Sequence, residues 1–292
     1  MKETGTINGP LKGFLRIQDG KPFIMDASGN RLLYGKTIWS GYTEHWLNRA
    51  VQARYLPQKD YETGQPIIIM WPDVPDPGVP FVELYYNERL VKYPKSLLGH
   101  IAININGEIF NFSHLLNENE VMTPEEYFYR PALGEFAPHP ELGVFNVDDR
   151  EHPYYDKFGR NFMRTIHVLR LEGLDTGRIS RYFHEQLKII HSTRPDPKRP
   201  DHYRDFSIFT RSCSTIIRDG LRDYGFKSIS GMFPHDLFVN TAYHLINKKD
   251  TGGLTVKLLR MKQLKVPEAP FSALTPFINP LNRILAKRIP AY

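Results

Sequence analysis

Ile179, Phe183, Leu187 and Ile190 recur at helical spacing, so Thr176–His191 is predicted as an amphipathic helix capped by Asp175 or Thr176. Cys213–Tyr224 repeats the pattern with Ile217, Leu221 and Tyr224 on its apolar side. Ser212 is placed to cap that helix and Gly225 to end it. Further helices are expected over Tyr42–Ala53, Pro124–Tyr129 and His235–Ile246. A period of two marks strands instead: Phe14–Gln18 and Pro22–Met25 flank an Asp19-Gly20 turn, and Leu32–Tyr34 follows Ser28-Gly29-Asn30. Pro66–Trp71, Val82–Tyr86, Phe162–Leu171 and Leu254–Met261 read as further strands. Residues 114–160 form a long excursion, Ser192–Asp205 a loop rich in proline and arginine, and Pro267–Tyr292 a tail with five prolines and no clean period. Strands come first and mixed elements follow, with no regular βαβ alternation, so the fold class is α+β.

The best-patterned stretch is Gly99–Ser113, which alternates around Asn106-Gly107, a strong hairpin signal. A two-residue loop pairs Ile105 with Glu108, Ile103 with Phe110 and Ile101 with Phe112, giving an apolar core face. The other face then carries His100, Ala102, Asn104, Ile109, Asn111 and Ser113, with His100 directly across from Ser113. A three-residue loop would bring His114 to the His100 face but scramble the apolar one, so the first register is preferred. A lone histidine on a strand is ordinarily a satisfied or solvated side chain.

Composition narrows the chemistry. The 292 residues suffice for one large domain or two small ones, and 41% hydrophobic with 24% charged residues is an ordinary globular balance. The net charge of +6 and pI near 9.2 favour an acidic or polyanionic partner without naming one. The longest apolar run is Ile67–Trp71, so no membrane span is expected, and Met1–Asn30 lacks the apolar core of a secretory leader. Eleven histidines contain no HExxH, and His184 with His191 lack a third ligand, so no metal or other cofactor is expected. Gly35-Lys36-Thr37 fails as a phosphate loop because Asn30 stands where glycine is needed. Lys198, Arg199, Arg204 and Arg211 make the loop before Cys213 basic, yet no nucleic-acid module surrounds them. Leu281–Ile289 mixes apolar residues with Arg283, Lys287 and Arg288. It suits a membrane surface or, in preference, docking onto the core of the chain.

The single cysteine, Cys213, cannot staple its own chain. Free cysteines often serve as small buried hydrophobes. This one opens a helix, where unpaired N–H groups and the positive dipole end lower a thiol pKa, and Arg211 adds positive potential two residues upstream. A helix-start cysteine and a strand-borne histidine are the parts of a thiolate–imidazolium pair.

Gly99-His100-Ile101-Ala102-Ile103-Asn104, followed far downstream by Ser212–Leu221 (SCSTIIRDGL), resembles the circularly permuted papain-like hydrolases. These are the NlpC-type peptidases and their relatives, including the lecithin:retinol acyltransferase-like proteins, in which histidine precedes cysteine. The segments are also similar to those of secreted antibacterial effectors of that superfamily, and the resemblance covers roughly Ser96–Gly225. It implies a papain-like antiparallel sheet packed against helices over residues 91–262, with a β-rich extension at 1–90 and a tail at 263–292. It implies Cys213 as nucleophile, His100 as base and acid, and the Cys213 backbone N–H as half of an oxyanion hole. The third, imidazole-orienting group is Ser113 by the preferred register, with Asn111 or His114 reached by slippage. Arg211 and Ser212 are the candidate substrate-binding residues. The expected activity is amide hydrolysis in peptidoglycan stem peptides, in the periplasm of a target cell after export by a dedicated apparatus, with a carrier and an immunity protein as partners. Lipid acyl transfer or hydrolysis, protein deamidation, and an inactive binding module are the alternatives.

Overall fold

The computed structural model describes residues 9–34, 38–59, 64–74, 78–89, 98–131, 160–247, 253–264 and 280–292. Gly35-Lys36-Thr37 and most of the 114–160 excursion lie outside them. The chain forms two compact units. The first comprises residues 1–77 with 125–163, and the second 78–124 with 164–292. Of the described residues in the excursion, 114–124 group with the second unit and 125–131 with the first, a division that local sequence pattern does not encode.

In the first unit β1 (Leu11–Gln18), β2 (Lys21–Met25), β3 (Arg31–Tyr34), β4 (Ala50–Lys59) and β5 (Pro66–Pro72) form an antiparallel sheet in the order β3-β2-β1-β4-β5. The helix expected over Tyr42–Ala53 is shorter: α1 spans Ser40–Trp46, and Ala50 already begins β4. Asn48 adopts a positive φ of 65° between them, and its N–H donates to the Leu15 carbonyl at 2.8 Å. That left-handed residue ends the helix and turns the chain into the sheet. Two further short helices are α2 (Pro124–Phe128) and α3 (Arg160–Met163), the latter containing Phe162, which the sequence pattern assigned to a strand.

The second unit is built on a six-stranded antiparallel sheet of β6 (Phe81–Asn87), β7 (His100–Ile105), β8 (Glu108–Asn111), β9 (Glu120–Met122), β10 (Ile166–Glu172) and β13 (Thr255–Met261), ordered β13-β10-β6-β7-β8-β9. Helices α4 (Thr176–Ser192), α5 (Cys213–Tyr224) and α6 (Pro234–Ile246) supply most of the rest of its core, with Tyr203, Phe226 and Ile229 added from between them. The α4 residues Ile179, Phe183, Leu187 and Ile190 are the buried ones, and Asp175 caps the helix by accepting from the Arg178 N–H at 3.0 Å. The β7–β8 register is Ile105 opposite Glu108 and Ile103 opposite Phe110, with Asn106 and Gly107 at φ 52° and 95° as a primed hairpin turn requires. Ile101, Ile103, Ile105, Phe110 and Phe112 all enter the core. The loop expected over Ser192–Asp205 contains a small hairpin, β11 (Pro195–Asp196) with β12 (Arg199–Tyr203). The tail contains α7 (Pro280–Ala286), which docks on α6 through Asn282 Nδ2 donating to Asp236 Oδ1 at 2.8 Å. Among the described residues no helix is long and apolar enough to cross a membrane.

Close packing of α4 on α5 depends on Gly220, where a Cβ would come within 2.6 Å of Phe183 Cζ and 2.8 Å of a Tyr182 ring carbon. Gly220→Val is expected to destabilise the second unit by about 2 kcal/mol through overpacking. Urea denaturation read by circular dichroism would show a lower midpoint at unchanged m-value.

Candidate active site

The helix carrying Cys213 starts abruptly because its cap is reciprocal. Ser212 Oγ accepts from the Thr215 N–H at 3.5 Å, and Thr215 Oγ1 accepts from the Ser212 N–H at 2.7 Å. Cys213 is thus the first helical residue, and α5 packs against β7. The sulfur lies against the backbone N–H of Ile101, the N–H groups of Ser214 and Cys213 itself, and 3.9 Å from Ser214 Oγ. Ile101 follows His100 directly, so the fold brings the thiol to the residue beside the histidine. A hydrogen bond from sulfur to imidazole is not among these contacts.

Burial pushes the Cys213 thiol above its ordinary pKa, outweighing the opposite pull of the N–H donors. Helix position alone had suggested a lowered value, but in this conformation desolvation exceeds the helix-terminus effect. The resting cysteine is therefore a neutral thiol.

His100 begins β7 immediately after Gly99, whose φ is 69° and whose absent Cβ would sit 2.5 Å from the Asn87 carbonyl oxygen. Only glycine fits there, which fixes the strand start and hence His100. His100 Nε2 meets Asn111 Oδ1 at 2.8 Å. Asn111 Nδ2 in turn donates to the Glu118 carbonyl at 2.8 Å, which fixes which end of the amide faces the ring. Nε2 therefore donates to Asn111 Oδ1.

The side chain bonded to Nε2 is thus that of Asn111, the diagonal cross-strand neighbour of His100, while the directly opposed Ser113 is engaged in its own loop. Pairing in β8 ends at Asn111, and the chain then turns away. Ser113 Oγ donates to Glu118 Oε2 at 2.6 Å and accepts from the Leu115 N–H at 3.3 Å. The His114 ring lies edge-on to His202 with centroids 4.7 Å apart, and burial, then His202, holds its pKa below the usual histidine value.

The two candidate substrate-binding residues separate. The Ser212 hydroxyl is engaged in the helix cap. Arg211 is held by its backbone, its carbonyl accepting from Tyr203 Oη at 3.0 Å and its N–H donating to the Ser207 carbonyl at 2.9 Å. Its guanidinium Nε and Nη2 are buried without an acceptor among the described residues, so it retains capacity for an anionic or carbonyl group. Burial pushes the neighbouring Tyr203 phenol up to about 12, against the pull of Arg211. No group of acidic, histidine or cysteine side chains suited to a metal ion occurs among the described residues.

The loop that holds Asn111 escaped the sequence reading. Asn119, 1% exposed, closes it, and His191 of α4 contacts it from outside; the only sequence sign of Asn119 is a polar residue set between Glu118 and Glu120.

Comparison with protein-family models, with curated proteins and with solved structures found no match.

Proposed function

We propose that this protein is a cysteine hydrolase of permuted papain-like architecture that cleaves amide bonds, with Cys213 as nucleophile, His100 as general base and acid, and Asn111 orienting the imidazole. The supporting observation is the 2.8 Å His100–Asn111 hydrogen bond at the start of the strand whose next N–H, that of Ile101, meets the thiol. In the reaction, His100 Nδ1 takes the thiol proton and sulfur attacks the substrate carbonyl. The tetrahedral oxyanion is held by the Cys213 N–H at the α5 terminus. His100 then returns its proton to the leaving amine as the C–N bond breaks. Water activated by the same nitrogen hydrolyses the thioester and regenerates the thiol.

The proposed substrate is the stem peptide of peptidoglycan, reached in a target periplasm after dedicated export. The basic surplus of the chain suits such an acidic polymer. Purified sacculi incubated with wild type should release new muropeptides, and Cys213→Ala should release none. Release by neither protein would eliminate this substrate.

The raised thiol pKa favours a second reading, a papain-like binding module without turnover. Alkylation of Cys213 by iodoacetamide, followed by intact mass from pH 4 to 9, separates the two. An enzyme shows alkylation near neutral pH that depends on His100 and slows in His100→Ala. A module shows slow alkylation that is indifferent to His100.

A further inference from the structure

Asn111 can orient His100 only if the carbonyl it donates to is itself fixed. That carbonyl belongs to Glu118, the last residue of a 3-10 turn over Leu116–Glu118. The turn is closed by the side chain of the next residue. Asn119 Oδ1 accepts from the Ser113 N–H at 3.1 Å, while its Nδ2 donates to the Ser113 carbonyl at 3.0 Å and to the Leu115 carbonyl at 2.5 Å. One buried amide thus ties both ends of the 113–119 loop. Its backbone is anchored from outside as well, because His191 Nε2, near the end of α4, donates to the Asn119 carbonyl at 2.6 Å.

We infer that Asn119, braced by His191, is a positioning residue that sets the imidazole of His100 by holding the Glu118 carbonyl against Asn111. This rests on the proposed Cys213–His100 pair and extends it by three linked hydrogen bonds to α4. Among the described side chains of the loop no other combines both functions: Ser113 Oγ and Glu118 Oε2 bond each other and leave the Glu118 carbonyl to the backbone geometry that Asn119 imposes.

The test uses the full chain and needs no substrate. Asn119→Asp preserves size and the acceptor to Ser113 but sets a carboxylate against two carbonyls that now receive hydrogen bonds. The pH profile of Cys213 alkylation is measured for wild type, His100→Ala and Asn119→Asp, each checked for folding by circular dichroism. The expected result is that Asn119→Asp loses about tenfold in rate at pH 6, moving toward His100→Ala, while its rate at pH 9.5 matches wild type. A folded Asn119→Asp with the wild-type profile overturns the positioning role and leaves the catalytic pair intact. Identical profiles for wild type and His100→Ala overturn the pair, and the inference with it. If Asn119→Asp does not fold, His191→Leu at an exposed position is the second variant. A shift of about threefold in the same direction supports the brace, and an unchanged profile overturns it.

Discussion

On the proposed mechanism, the His100→Ala protein is expected to hydrolyse an amide substrate about a thousandfold more slowly than wild type, the range a general base contributes. The effect is large because burial raises the thiol pKa, so in that mechanism the nucleophile is generated by proton transfer to the imidazole. Asn111→Leu removes the acceptor at 2.8 Å from Nε2 without touching sulfur or substrate. The ring then loses that hydrogen bond, and on the proposed mechanism kcat should fall by between about tenfold and a hundredfold at nearly unchanged KM. Ser113→Ala should stay within about threefold of wild type, because that hydroxyl serves Glu118 and the Leu115 N–H and not the imidazole. Steady-state kinetics on a fluorogenic peptide amide, once one that is turned over is found, would rank the three variants. A Ser113→Ala defect larger than that of Asn111→Leu would reassign the orienting group to the directly opposed residue.

That ordering also marks where sequence was sufficient. Strand parity put His100, Asn111 and Ser113 on one face, since a period of two and an Asn-Gly turn leave little freedom of register. It could not choose between the opposed and the diagonal neighbour. That choice depends on where pairing stops, and pairing stops because a buried Asn119 folds the next seven residues into a closed loop. Helices α4 and α5 were legible end to end because cap, period and terminator agree, down to Ser212 and Gly225. The segment after Trp46 was not. A helical pattern over Tyr42–Ala53 competes with long-range pairing of β4 to both β1 and β5, and tertiary pairing prevails. Thiol burial is equally non-local. It comes from the packing of α5 on β7, elements more than a hundred residues apart, so a helix-start position alone could not give the direction of the pKa shift.

Acid is expected to weaken the second unit through His235. Its ring stacks on Tyr86 with centroids 5.0 Å apart and planes at 9°, and its Nε2 is buried with no hydrogen-bond partner among the described residues. Burial, and then the neighbouring His167, pushes its pKa down from 6.5 to about 4. The unfolded chain therefore binds a proton near pH 6.5 that the folded one refuses until about pH 4. Stability conferred by the neutral ring is complete above pH 6.5 and is lost as pH falls toward 4, with no further loss below. The slope approaches about 1.4 kcal/mol per pH unit in that window, to a total of up to about 3 kcal/mol. Asp236 works in opposition at the acid end, since burial raises its carboxyl above the usual value, although Asn282 pulls the other way, and protonation relieves it. His114, lowered by burial and His202, adds to the loss. His235→Phe keeps a ring against Tyr86 and gives up no hydrogen bond. Urea midpoints at pH 7.5, 6.5, 5.5 and 4.5 should fall steeply for wild type and more gently for the variant, the two curves diverging only below pH 6.5. Parallel curves across the whole range would mean that the buried imidazole is protonated as readily in the folded chain as in the unfolded one.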